Sequence, residues 1–348
     1  MHDVLFISVE TDTLIRTLLL GFLGFLVSML ITPIYTTIAY RWQWWKKPRT
    51  TTTTGEKATM FMKLHGEKHK RHIPTMAGII FVVATVMVTL LFNLSREGTW
   101  LPLAAFVAAA GVGLLDDIIN IRGGGGGVAG LRSKIKLALT TLVAFIGGLF
   151  FYYKLDVSSI HVPLANTNWE IGWLIIPVFV LVVVATANAV NISDGEDGLA
   201  GGLTSTAFGV YAVIAMLEGR FEVAGFCLTI VGTLLSYTWF NINPARFFMG
   251  DVGSFALGTA LGVVAMITDT LLLLPIIGLV FVAEAGSSAI QILSKKLRNG
   301  KKVFKIAPIH HHFEASGWPE TKVTMRFWVI GQVAGVLGLI LFLLGRYV

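Results

Sequence analysis

Long apolar stretches are the feature that most constrains how this chain can fold. A transmembrane helix rises about 1.5 Å per residue and needs about 20 mostly apolar residues to cross a bilayer. Lipid-exposed segments of this kind must be helical, because the hydrocarbon offers their backbone groups no water to bond. We therefore expect an all-α integral membrane protein with ten transmembrane helices in a single domain, residues 1–348. The ten stretches lie at about 17–39, 76–93, 100–115, 135–152, 171–190, 199–217, 223–240, 253–268, 270–294 and 326–344.

The composition agrees with a chain that mostly faces lipid. Only 14% of its residues are charged and 55% are hydrophobic, whereas a soluble domain carries about 25% charged residues. The net charge of +7 could suggest a nucleic-acid partner. The basic residues lie between the apolar stretches, however, which favours membrane orientation over nucleic-acid binding. The single cysteine, Cys227, excludes an intramolecular disulfide and a cysteine metal cluster.

The distribution of lysine and arginine predicts the orientation, since cytoplasmic loops carry an excess of both. If the loop after the first stretch is cytoplasmic, the cytoplasmic segments hold 22 of the 27 basic residues. These segments are 41–74, 116–136, 241–252 and 295–326. Both termini are then periplasmic. The outer segment 153–170 alternates apolar and polar residues and is predicted to form a small periplasmic hairpin.

Five of the few acidic residues fall at the predicted inner membrane interface. Asp116 and Asp117 follow the third apolar stretch, Asp194 and Asp197 follow the fifth, and Asp251 follows the seventh. Each aspartate could simply cap a helix and face water. The gapped motifs NISDGEDG and NINPARFFMGD favour a shared site instead, because Mg²⁺ prefers carboxylate oxygens and binds substrate phosphates directly.

A run of three histidines lies in the last inner loop, within PIHHHFE. Adjacent histidines point in different directions, so one zinc ion rarely uses all three. The many lysines of this loop favour phosphate binding over metal binding, and a solvated loop is the alternative. Glu284 lies inside the ninth apolar stretch, where a charged side chain is costly. A structural role and a functional role are equally good explanations for it. Lys134 and Lys136 could face a phosphate, although membrane orientation explains them more simply.

The chain resembles the phospho-N-acetylmuramoyl-pentapeptide transferases over essentially its whole length. The resemblance rests on four groups of residues in the right order. They are the DD pair at 116–117, NAVNISDGEDGLAGG at 188–202, FFMGDVGSFALG at 247–258, and APIHHHFEASGWPE with VTMRFWVI at 307–330. The histidine motif separates this family from polyprenyl-phosphate N-acetylhexosamine relatives, which vary that loop.

The resemblance implies a reaction, a cofactor and a location. The family transfers phospho-N-acetylmuramoyl-pentapeptide from UDP to undecaprenyl phosphate, releases UMP and forms lipid I for peptidoglycan. The active-site cleft is on the cytoplasmic face of the bacterial inner membrane, and the family suggests a homodimer. Asp116, Asp117 and Asp251 are the implied catalytic residues, with Mg²⁺ on Asp251. The implied substrate-binding residues are Lys70, Asn191, Asp194, Asp197, Asn241, Phe248, Gln291, His310, His311 and His312.

Two departures from the family pattern and two rival functions bear on this interpretation. The chain has HIPTMAG at 72–78 where the family usually has GTPTMGG, and Ser193 and Glu196 where it usually has Thr and Leu.

A related transferase that uses UDP-N-acetylglucosamine is the nearest rival. A divalent-cation transporter would need acids near the membrane midplane, where only Glu284 is expected.

Overall fold

The computed structural model describes residues 11–45, 71–123, 130–163, 165 and 167–347, and the regular structure of these residues is helical apart from one β-hairpin. A helix overlaps each of the ten predicted stretches. The α-helices are α1 (Thr11–Arg41), α2 (Gly78–Phe92), α3 (Trp100–Arg122), α4 (Ser133–Leu155), α5 (Ile175–Ser193), α6 (Leu199–Leu217), α7 (Phe221–Asn241), α8 (Asp251–Ile267), α9 (Leu274–Ile277), α10 (Leu279–Leu297), α11 (Ile309–Glu314) and α12 (Glu320–Tyr347). Short 3₁₀ turns, Gly172–Leu174 and Leu271–Leu273, precede α5 and α9.

Seven of these helices are long and apolar enough to cross a membrane, counting α5 together with its 3₁₀ turn. An eighth candidate is broken, because Leu271–Ile277 and Leu279–Leu297 meet at an angle of 82°. The helices α2 and α8 have 15 and 17 residues and are shorter than a usual span. The described residues therefore form an integral membrane protein with seven or eight candidate spans, and the count of ten stays a prediction.

The short helix α8 lies at the centre of the bundle. All of its residues except Asp251 are buried, as expected for a helix that is apolar on every side. Small residues let the neighbouring helices approach its backbone. A Cβ added to Gly258 of α8 would lie 2.5 Å from the carbonyl oxygen of Thr186 in α5. Because α8 is surrounded by protein, its length is not set by the thickness of a bilayer.

The loops predicted to be periplasmic meet at one end of the bundle. The strands β1 (Ser159–Val162) and β2 (Thr167–Glu170) pair antiparallel within the predicted hairpin segment. The backbone N–H of His161 in β1 donates to Asp269 Oδ1, 3.0 Å away, just beyond the end of α8. Asp251 begins α8, so the predicted inner and outer loops gather at opposite ends of this helix. Their sides of the membrane stay a prediction.

A buried carboxylate with two partly exposed arginines lies at the same outer end. Glu218, which follows α6, lies 3.3 Å from Arg220 Nε and 3.1 Å from Arg346 Nη2 at the end of α12. Burial raises the pKa of Glu218, and the two arginines oppose this effect. The contact between Glu218 and Arg346 joins the last helix to α6.

Candidate active site

Three aspartates from two helices meet at the other end of α8. Asp116 and Asp117 lie near the end of α3, and Asp251 is the first residue of α8. One carboxylate oxygen from each lies within 4.8 Å of the others. Asp116 and Asp117 are buried, at 2% and 0% exposure. The structure thus brings together the three residues predicted to be catalytic.

Glycines allow α3 and α8 to approach closely enough for this arrangement. A Cβ on Gly113 of α3 would overlap the backbone of Asp251. Gly250 has a φ of 76°, and a Cβ there would lie 2.5 Å from Asp117 Oδ2. Asp117 Oδ2 accepts a hydrogen bond from the backbone N–H of Val252 at 3.0 Å. The first turn of α8, whose N–H groups have no partner within the helix, therefore holds the Asp117 carboxylate.

Lys136, in the first turn of α4, is the basic partner of this centre. Its Nζ lies 2.5 Å from Asp251 Oδ2 and 3.1 Å from Asp116 Oδ2. Asp116 Oδ1 also accepts the backbone N–H of Leu131 at 2.7 Å. The sequence favoured membrane orientation for Lys136 over a position facing a phosphate. Its contacts with Asp116 and Asp251 show that it is also part of the charged centre.

Phe248 is fixed by backbone hydrogen bonds to the segment 72–78. The Phe248 N–H donates to the carbonyl of Pro74 at 2.8 Å, and the Ala77 N–H donates to the carbonyl of Phe248 at 3.0 Å. The Gly78 N–H likewise donates to the carbonyl of Met249 at 2.8 Å. The HIPTMAG segment therefore supports the loop that leads into Asp251. The predicted substrate contact Lys70 lies outside the described residues.

Asn191 and Asp194 lie at the end of α5, close to the start of α8. Asn191 Nδ2 donates to Ser254 Oγ at 2.9 Å, one turn after Asp251. Asp194 directly follows α5, and both side chains are half-buried. Asn191 is therefore linked to the first turn of α8, and both side chains are partly exposed. Their contact with substrate stays a prediction.

Asp197 and Asn241, also predicted to bind substrate, are buried and bonded to protein. Asp197 Oδ2 accepts from the Ala245 N–H at 3.0 Å and from Asn243 Nδ2 at 3.0 Å. Asn241 Oδ1 accepts from the Gly198 N–H at 2.9 Å, and its Nδ2 donates to the carbonyl of Phe247 at 2.8 Å. These bonds hold the loop after α5 against the loop before α8. Both side chains are thus bonded to protein, and their contact with substrate stays a prediction.

Gln291 has a similar positioning role in the last inner loop. Its Oε1 accepts the N–H groups of Val303 and Phe304 at 2.9 and 3.0 Å, and its Nε2 donates to the carbonyl of Phe304 at 2.8 Å. The side chain is buried within α10. Three bonds therefore fix this part of the loop to α10.

The three adjacent histidines have three separate sets of partners. His310 Nδ1 lies 2.7 Å from Glu284 Oε2, which gives the intramembrane glutamate a buried polar partner. His311 Nδ1 lies 2.7 Å from Glu314 Oε2 and 3.3 Å from Glu196 Oε1. His312 Nδ1 accepts the backbone N–H of Lys305 at 3.1 Å. The three Nδ1 atoms therefore have different partners, and those of His310 and His311 are carboxylates. Phosphate binding by the histidine run stays a prediction.

Fold and site together define a polytopic membrane protein of the transferase class, and residues 99–269 match the model of glycosyl transferase family 4. The chain belongs to the phospho-N-acetylmuramoyl-pentapeptide-transferase family. It is 39% identical over 282 residues to such a protein of Geobacillus thermodenitrificans, covering 78% of this chain and 84% of the relative. It is 41% identical over 283 residues to one of Chloroflexus aurantiacus, covering 78% and 77%. It is 36% identical over 279 residues to one of Listeria innocua, covering 79% and 85%.

Proposed function

We propose that this chain transfers phospho-N-acetylmuramoyl-pentapeptide from UDP to undecaprenyl phosphate and so forms lipid I. The observation that carries the proposal is the meeting of Asp116, Asp117 and Asp251 with Lys136 at one end of the bundle. The names of the relatives support the identity of the reaction. Phosphoryl transfer requires positioning and charge neutralisation above all, and charged groups held in place by helices suit both needs.

The reaction needs one bond to form and one to break. An oxygen of the lipid phosphate attacks the phosphorus attached to the sugar, and the bond from that phosphorus to the bridging oxygen of UMP breaks. The bridging oxygen keeps the electron pair and leaves with UMP. The lipid phosphate is already an anion and needs little further activation, so direct attack is preferred to an aspartyl intermediate. Trapping a phosphosugar adduct on Asp251 or Asp117 would overturn this preference.

The aspartates fit Mg²⁺ by their chemistry, because three carboxylates within 4.8 Å offer the hard oxygen ligands that this ion prefers. We assign Mg²⁺ to Asp251, with Asp116 and Asp117 beside it. When bound, the ion neutralises charge on phosphate oxygens. The α8 N-terminus keeps the Asp117 carboxylate oriented. The Lys136 ammonium, which contacts Asp116 and Asp251, is placed to pair with a phosphate oxygen in the same space.

An apolar groove offers a place for the polyprenyl chain. It has a volume of about 460 Å³ and lies between α5, α8 and the broken pair α9–α10. Its walls include Leu181, Val190, Leu261 and Phe281. Val190 directly precedes Asn191, which bonds to the first turn of α8. A lipid tail in this groove would therefore bring its phosphate toward the aspartates.

The half-buried residues are the proposed contacts for the nucleotide sugar. Phe248 has a ring that can stack on uracil, and Asn191 and Asp194 offer polar groups at the same end of the bundle. His312, in the last inner loop, is half-buried as well. We place this cleft on the cytoplasmic side of the bacterial inner membrane. The homodimer suggested by the resemblance stays a prediction.

A transfer assay with purified full-length protein tests the proposal. The protein receives undecaprenyl phosphate and either UDP-N-acetylmuramoyl-pentapeptide or UDP-N-acetylglucosamine, with Mg²⁺ or with EDTA. We expect UMP release and lipid I only with the muramoyl-pentapeptide nucleotide and only with Mg²⁺. Turnover of UDP-N-acetylglucosamine alone would replace the proposed substrate, and full turnover in EDTA would refute the Mg²⁺ assignment.

A further inference from the structure

A second group of potential metal ligands lies outside the aspartate centre. Glu196, His310 and His311 each place one ligand atom within 4.8 Å of the others. One carboxylate oxygen from each of Glu196, Glu314 and Glu320 also lies within 4.8 Å of the others. The first three side chains are all buried. They come from the loop after α5 and from α11, so only the tertiary structure brings them together.

The orientation of His310 is typical of a metal-binding histidine. Its Nδ1 is held by Glu284 at 2.7 Å. Metal-bound histidines usually have their other ring nitrogen bonded to a carboxylate in this way. The Nε2 of His310 is buried and forms no hydrogen bond with any described residue. It lies against Gly195, where a Cβ would overlap it. The free nitrogen is therefore directed toward the loop that carries Glu196.

Glu196 has an equally unusual environment. It is 3% exposed, and the described group that faces its Oε1 is the His311 ring, whose Nδ1 lies 3.3 Å away. The carboxylates of Glu314 and Glu320 each place one oxygen within 4.8 Å of a Glu196 oxygen. A buried acid of this kind needs either a proton or a cation to neutralise it. A divalent cation would also relieve the repulsion among the three carboxylates.

We propose that Glu196, His310 and His311 bind one divalent transition-metal ion, with Zn²⁺ the preferred ion. Two imidazoles and one carboxylate form a ligand set that Zn²⁺ uses, whereas Mg²⁺ prefers oxygen ligands alone. Glu314, whose Oε2 lies 2.7 Å from His311 Nδ1 and which also places an oxygen within 4.8 Å of Glu196, offers a fourth ligand. The site is separate from the three aspartates and does not depend on the proposed reaction.

The bound ion would join two separate parts of the inner surface. Glu196 belongs to the loop 194–198, whereas His310 and His311 belong to α11. The loop 194–198 is also tied to α12, because the Asp197 N–H donates to Glu320 Oε1 at 2.8 Å. A metal ion at this point would therefore stabilise the arrangement of α5, α11 and α12 around the cleft.

Metal binding is measured on full-length protein without an affinity tag, after EDTA treatment and removal of the chelator. We expect one tightly bound Zn²⁺ per chain by elemental analysis and calorimetry, and a higher melting temperature with Zn²⁺, since a ligand that binds only the native state stabilises it. Co²⁺ in the same protein should show visible d–d absorption typical of histidine coordination. No donor substrate is present, so failure here is distinct from failure of the transferase proposal.

Matched variants assign the ligands. Glu196→Leu and His310→Gln should each weaken Zn²⁺ binding by about 100-fold or more, and Glu284→Gln by about 10- to 100-fold because it orients His310. His161→Gln, at the outer end, and Asp251→Asn, in the aspartate centre, should retain the site. Glu196→Leu replaces a buried acid with an apolar side chain, so it should melt at the unaltered temperature or higher in EDTA.

Three results would overturn the proposal. The first is that the unaltered protein binds no stoichiometric Zn²⁺ and shows no Co²⁺ spectrum. This test does not depend on whether any variant folds. The second is unchanged Zn²⁺ affinity in Glu196→Leu and His310→Gln. The third is loss of Zn²⁺ in Asp251→Asn, which would move the ion to the aspartate centre.

Discussion

The Nζ of Lys136 lies 2.5 Å from Asp251 Oδ2, although the two residues are 115 positions apart in the chain. The same ammonium lies 3.1 Å from Asp116 Oδ2. One cation from α4 therefore links carboxylates from α3 and α8. This contact makes Lys136 part of the charged centre, together with the three aspartates.

Replacement of Lys136 by glutamine should reduce transfer by about 100-fold, because preorganised charge near the reacting phosphates is lost. The measurement is UMP release under saturating substrates. Lys134→Gln is the matched control, since Lys134 is exposed and two positions away on the same helix. Equal activity in both variants would limit Lys136 to membrane orientation.

Asp117→Asn should reduce transfer by about 1000-fold while the protein stays folded. The amide keeps an oxygen that can accept the Val252 N–H, so the α8 N-terminus retains its partner. Asp117→Ala removes that acceptor as well and should cost a further 1–3 kcal/mol of stability, roughly the penalty for an unsatisfied buried donor. Thermal unfolding in detergent and the transfer assay separate the two effects. Unaltered turnover in Asp117→Asn would contradict a catalytic role for its charge.

Gly113→Ala should destabilise the protein by about 1–3 kcal/mol and reduce activity, because its methyl group would push α3 away from the backbone of Asp251. Gly111→Ala is the control on the same helix, where no atom lies within 4 Å of the added Cβ. That change should be neutral or should stabilise α3 by up to about 1 kcal/mol through helix propensity. Denaturation of both variants in the same detergent measures the difference. Equal stability of Gly113→Ala and Gly111→Ala would disprove the close approach of α3 to Asp251.

Gln291→Ala should loosen the last inner loop. The change removes three hydrogen bonds to Val303 and Phe304 and leaves their N–H groups without this acceptor. Local opening then becomes easier, and trypsin should cut after Lys301 or Lys302 about 10-fold faster or more. Mass spectrometry identifies the cleavage sites. Ile292 is exposed on the same helix, so trypsin should cut the Ile292→Ala control at the rate of the unaltered protein. Equal cleavage rates for the two variants would rule out an anchoring role for Gln291.

The helical membrane fold could be predicted from the sequence because apolar length is a local property. A stretch such as 199–217 needs no partner to show that it forms a helix, and the structure has α6 at Leu199–Leu217. The number of spans was less predictable. The helix α8 is short and enclosed by protein, and the stretch 270–294 breaks at Gly278 into two helices that meet at 82°. Enclosure and bending depend on neighbouring helices.

The candidate site, like the fold, could be predicted from the sequence only in part. The sequence alone placed Asp116, Asp117 and Asp251 near helix ends on one side, because approximate helix boundaries follow from the alternation of apolar stretches and loops. The exact end was not predictable, since α3 continues past the predicted stretch 100–115 to Arg122. It also singled out the histidine run. Only the tertiary structure decided that Lys136 pairs with Asp251, that Glu284 holds His310, and that Asp197 bonds to the loop before α8. Those contacts join residues far apart in the chain, and which helices become neighbours depends on close packing between backbones rather than on any local pattern.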